Sequence, residues 1–177
     1  IKKMKKIYTT LFFILPYLCF AQCPSTDFNI ELTSQVEVNQ FAIDYPNCSD
    51  YDAGLIISGN DITDLTPLAG LSKVRFLRII NNPLLVNLNG LNLTEISGDS
   101  NNYINITSNL LLENINALSS VVQTVLVPNS GIFIRNNPLL SSLDGLQGID
   151  AFHVEDISIF NNDLLTNLIG LDGFKRA

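Results

Sequence analysis

The sequence contains no tryptophan, one methionine, three cysteines and a single histidine in 177 residues. One histidine, His153, is too few for multi-histidine metal sites or most His-dependent catalytic triads. It precedes the last predicted strand and reads as a surface or turn residue. Basic residues are scarce too, ten against 17 acidic ones. Four of the ten (Lys2, Lys3, Lys5 and Lys6) stand at the very start, and every acidic residue comes later. Residues 22–177 therefore hold six basic and 17 acidic groups, a formal charge of −11. Such a chain has no electrostatic footprint for nucleic acid or anionic lipid. No glycine-rich phosphate cradle is present, and no long hydrophobic run follows the first 20 residues. Paired carboxylates, Asp61/Asp64 and Glu155/Asp156, are residue types suited to acid–base work. In a chain this acidic they read as a solvated face. No enzyme, cofactor or metal centre is expected.

What is present begins with a leader. The lysines form a positive n-region, Ile7 to Phe20 is apolar, and Cys19-Phe20-Ala21 places small residues at −3 and −1. This is the anatomy of a signal peptide over residues 1–21. A lipoprotein anchor on Cys23 needs a small residue before the cysteine, and Gln22 is not small. The expected location is secreted or at the cell surface, with no membrane insertion after cleavage. Cys23 and Cys48 then remain, and in an oxidising compartment they are most simply a disulfide. Closing that loop stabilises the fold by roughly 3 kcal/mol on the chain-entropy model.

The rest of the chain is organised by a repeat. Five segments superpose: Leu55–Asn60, Leu77–Asn82, Ile104–Asn109, Ile132–Asn137 and Ile157–Asn162. Each is an aliphatic, any residue, an aliphatic, two free positions and Asn. The asparagines Asn60, Asn82, Asn109, Asn137 and Asn162 recur at intervals of 22, 27, 28 and 25 residues. A leucine-rich continuation repeats as well, as in Pro83 to Leu91, Pro138 to Leu146 and Asp163 to Leu171. The third copy has Ala117 where these have Gly, and the first is one residue short. Alternating aliphatics predict short strands with one buried face, which stacked copies cover for one another. The asparagines are expected to turn the chain and form an interior ladder of amide hydrogen bonds. Before the first copy, Ser34-x-x-Glu37 signals a helix start, Val38, Phe41, Ala42 and Tyr45 share a face, and Pro46 stops the helix.

Val74-x-x-Leu77-x-Ile79-x-x-Asn82-x-Leu84 and Val154-x-x-Ile157-x-Ile159-x-x-Asn162-x-Leu164 match the leucine-rich-repeat pattern. The other copies carry Asp52, Asn101 and Asn129 at its first, usually apolar, position. With Cys23, Phe28 to Leu32, a helix, Asn47-Cys48 and Gly54 to Ile57 at the front, the chain resembles a receptor L domain. That family comprises ligand-binding lobes of growth-factor receptors and related secreted bacterial surface proteins. The resemblance implies a mainly β fold, a right-handed parallel β-solenoid with a short N-terminal capping helix. It divides the chain into a signal peptide (1–21), a disulfide-stapled cap (22–50) and five repeats (51–177). It also implies a fragment truncated at its C-terminus, lacking further repeats and a sorting domain.

The function expected is non-enzymatic recognition or adhesion toward an extracellular protein or glycan, with a passive spacer as the alternative. Side chains between the buried aliphatics alternate to the outer sheet face. They nominate Phe76, Arg78, Ile80, Tyr103, Phe133, Arg135 and Phe160 as a ligand-binding patch, since exposed aromatics and arginine dominate binding hot spots. Ser97 to Asn102 is rich in oxygen ligands for calcium, but reads as a polar loop between copies. Asn47, Asn92 and Asn105 fit the N-glycosylation sequon.

Overall fold

The aliphatic pairs of successive copies lie side by side. In the computed structural model, which describes residues 23–98, 104–123, 131–149, 154 and 156–172, one parallel sheet holds six strands. They are β1 (Ile30–Leu32), β3 (Leu55–Ile57), β5 (Leu77–Ile80), β7 (Ile104–Thr107), β9 (Gly131–Arg135) and β10 (Asp156–Phe160), in that spatial order. Their register sets Leu55, Leu77, Ile104, Ile132 and Ile157 in one column. A second parallel sheet holds β2 (Asp50–Tyr51), β4 (Lys73–Val74), β6 (Glu95–Ile96) and β8 (Val122–Gln123). Here Tyr51, Val74 and Ile96 occupy equivalent positions. Asp52, expected at that position from fixed spacing, is exposed. The segment joining the two sheets varies in length between copies, so a fixed pattern misplaces the residue.

The expectation of a mainly β, right-handed parallel β-solenoid is overturned. Helix accounts for 12% and strand for 23% of the described residues, in a mixed α/β fold built on two parallel sheets. The physical reason lies in the leucine-rich continuation. Its buried residues are spaced by three: Leu85, Leu88 and Leu91, then Leu112, Ile115 and Leu118, then Leu140, Leu143 and Leu146. A period of three is that of tight turns rather than the period of two of a strand. Accordingly Leu85 N–H donates to Asn82 O, Leu91 N–H to Leu88 O and Leu146 N–H to Leu143 O. Two such turns are regular 3-10 helices, η1 (Thr66–Leu68) and η2 (Asn116–Leu118). They fall in the copies with Pro67 and Ala117 where others have Gly. At Gly90 and Gly145, φ is +102° and +121°, and an added Cβ would meet backbone of the preceding copy at 2.3 Å. In those two copies the corner admits only glycine.

One core runs between the sheets, with Leu55, Leu77, Ile104 and Ile132 all fully buried. Each such side chain contributes about 1.5–3 kcal/mol, largely offset by ordering entropy. At the front stands the cap. Helix α1 (Gln35–Asp44) buries Val38 and Phe41, and Cys23 is bonded to Cys48. Ser34 caps α1 through Glu37 N–H. The Glu37 carboxylate reaches back to Thr33, accepting from its N–H at 2.6 Å and its hydroxyl at 2.8 Å. Those bonds hold the Glu37 carboxyl below its ordinary range, the backbone bond contributing most. The helix is locked to the first copy by Gln35. Its N–H donates to Asp61, and its amide bonds Thr63 N–H, Asp64 N–H and Asp64 O. Tyr51 fills the space beneath, its hydroxyl shared between the carbonyls of Phe28 and Ser25. Burial raises its pKa.

Candidate functional site

Two asparagines of each Asn-Asn pair do different work. Asn81, Asn136 and Asn161, with Ser108 in the third copy, adopt left-handed φ near +55° to +60° and turn the chain out of its strand. Asparagine tolerates that conformation better than most residues. The next residue points inward. Asn82, Asn109 and Asn137 are fully buried and Asn162 is 9% exposed. Along this ladder the Oδ1 of Asn109 accepts from Asn82 N–H at 3.1 Å and from Asn82 Nδ2 at 3.0 Å. Asn137 does the same for Asn109, and Asn162 for Asn137. Each Nδ2 also donates to a strand carbonyl of the preceding copy, Ile57, Ile79, Ile106 or Ile134. Asn60 is not a rung. It is exposed in the turn, and Gly59 N–H donates to Asn82 Oδ1 in its place. The residue missing from the first copy is the left-handed one, which shifts the slot back by one.

The outer face of the six-stranded sheet carries the residues nominated for binding. Register aligns Ile56, Arg78, Asn105, Phe133 and Ser158 in one row. Ile80, Thr107, Arg135 and Phe160 form the next. Tyr103 lies outside the described residues, as do His153 and Glu155. The arginines do not flank one aromatic patch. Two separate stacks form instead, divided by Asn105 and Thr107, whose side chains bond each other at 2.6 Å. In the first, the Arg78 guanidinium lies 4.7 Å above the Phe76 ring. Phe76 is only 5% exposed, its ring lying over Gly54 where a Cβ would meet it at 2.0 Å. In the second, Arg135 sits 4.3 Å from Phe133 and 5.3 Å from Phe160, while its Nε donates to Ser158 Oγ at 3.0 Å. Phe133 likewise covers Gly131. The Phe76–Gly54 contact depends on which copies become neighbours, whereas Phe133 and Gly131 stand two residues apart on one strand. Phe160, 47% exposed, is the outermost ring.

The other nominated groups serve the fold. Asp61 caps α1, and the Asp64 carboxylate accepts from Thr66 N–H and hydroxyl to start η1. Asp156 is exposed on β10. Among the described residues no cluster of His, Cys, Asp or Glu could hold a metal ion. Of the oxygen-rich stretch Ser97 to Asn102, read as a polar loop, residues 99–102 lie outside the described residues. Asn92 of the second sequon donates its amide to Ala69 O, and Asn105 is half-buried in the sheet face. Asn47, of the first, is exposed.

No protein family, no curated protein and no solved structure matches this chain. Its function rests on the site alone. Among the described residues there is a disulfide, and no helix is long and apolar enough to cross a membrane.

Proposed function

We propose that the protein is a non-enzymatic extracellular binding module that recognises a protein or glycan through the outer face of its six-stranded sheet. The carrying observation is Arg135, clamped between Phe133 and Phe160 and tied to Ser158. A guanidinium stacked on a ring keeps its N–H edge available for a carboxylate or other oxygen acceptor, and loses little entropy on binding. Phe160 adds apolar contact beside it. The resemblance to receptor L domains and secretion to the cell surface belong to the same proposal, supported by the leader sequence and the Cys23–Cys48 bond.

Pull-down and glycan-array measurements on residues 22–177 test it. Arg78→Glu combined with Phe133→Ser should lower binding at least tenfold, and so should Phe160→Ser, an exposed position that leaves Tm unchanged. Undiminished binding in both would overturn the proposal. It would favour the second reading, a passive spacer, for which the seating of Phe76 on Gly54 speaks, since that ring supports the sheet.

A further inference from the structure

The asparagine ladder has a direction, and among the described residues its last rung is incomplete. Every internal rung sends its backbone N–H and Nδ2 toward the Oδ1 of the next copy. Asn162 sends Nδ2 back to Ile134 O, as its predecessors do to theirs. No described residue presents an amide oxygen to its N–H. The aliphatic column ends in the same way. Leu88, Ile115 and Leu143 are fully buried, whereas Leu168, at the equivalent position, is 59% exposed. Ile157 is 38% exposed where Leu77, Ile104 and Ile132 are at zero. Ile169 takes a place held by Asn89, Asn116 and Asp144 in other copies, and is 59% exposed.

The geometry points to the β10 edge as a docking surface for one further parallel strand of the repeat's own chemistry, aliphatic-x-aliphatic-x-x-Asn. Donor direction selects this occupant. An incoming asparagine offers Oδ1 to Asn162 and donates Nδ2 to the Ile159 carbonyl, completing the pattern made four times already. A second copy docked edge to edge about a two-fold axis would run its β10 antiparallel, so Asn162 would face the start of the partner strand rather than an asparagine Oδ1, and the ladder would not continue. Docked head to tail, it would present α1 and the disulfide-stapled cap to the edge. The strand aligns Ile157 and Ile159 under its own aliphatics, and its following turn covers Leu168 and Ile169. This inference does not depend on the sheet-face reading, since none of these side chains stacks with arginine.

The test uses residues 22–177 with a synthetic peptide of the sequence of residues 131–149, followed by fluorescence polarisation and amide exchange. Saturable binding is expected, with at least tenfold slower exchange at Asn162 N–H in the complex. A peptide carrying Asn137→Ala should bind at least tenfold more weakly. The exposed-site protein variants Leu168→Arg and Ile169→Arg should lose binding while keeping the parent Tm. No binding, or equal binding by the Asn137→Ala peptide, overturns the inference. So does self-association in sedimentation that Leu168→Arg abolishes, which would make a second copy the occupant.

Discussion

The first and last described copies meet the same problem differently. At the front, α1 and the Cys23–Cys48 bond close the core, and Thr33, Ser34, Gln35 and Glu37 satisfy one another or the first copy. At the far end Ile157 and Leu168 repeat the chemistry of buried positions without their cover, and no described residue offers an amide oxygen to Asn162 N–H. Identical side chains thus carry different energetic weight according to whether a neighbour stands on both sides. The stability of this fold resides in contacts between copies rather than within them.

That comparison is open to attack by substitution, and the largest contrast should come from one pair. Leu143→Ala should destabilise by about 2–5 kcal/mol, because it leaves a cavity between copies. Leu168→Ala should fall within about 0.5 kcal/mol. Urea unfolding of both checks this, and equal losses would mean the ends do not differ. At the front, Cys23→Ser with Cys48→Ser should cost about 3 kcal/mol by the same assay. In the ladder, Asn109→Ala strands the Asn82 donors and should cost about 2–3 kcal/mol, and Asn162→Ala, which strands the Asn137 donors in the same way, should cost about as much. Ser34→Ala should cost about 1 kcal/mol as a lost helix cap.

The smallest effect is one of pH. The Glu37 carboxyl has a folded pKa below its unfolded one, so its contribution is present above the unfolded value and fades as pH falls through the folded value. Acidification should therefore loosen α1 before the sheets, as read by amide exchange in Gln35–Asp44, and Glu37→Gln should remove that step. Lys73, bonded to Glu95 at 2.8 Å, has the opposite sign. That bond raises its pKa, so its contribution holds below the unfolded value and is lost as pH rises through the folded one.

Much of this was legible in the sequence. The aliphatic pairs, the inward asparagines from Asn82 onward and the Ser34–Glu37 helix start follow from local patterns, because each depends on a few adjacent residues. The fold class did not follow. Leucines three apart belong to turns, and a repeat pattern alone does not separate that spacing from a β architecture. Asn60 falls outside the ladder because a single missing residue in the first copy moves the slot to Gly59. At the site, the nominated arginines and phenylalanines do lie on one sheet face. Their division into two stacks was hidden, since Arg135 meets Phe160 only through register between copies of unequal length.

Backbone amide exchange at the four asparagines tests the directional ladder most directly. Asn82, Asn109 and Asn137 should exchange at least a hundredfold more slowly than Asn162. Equal protection of Asn162 and Asn137, or fast exchange at all four, would contradict it.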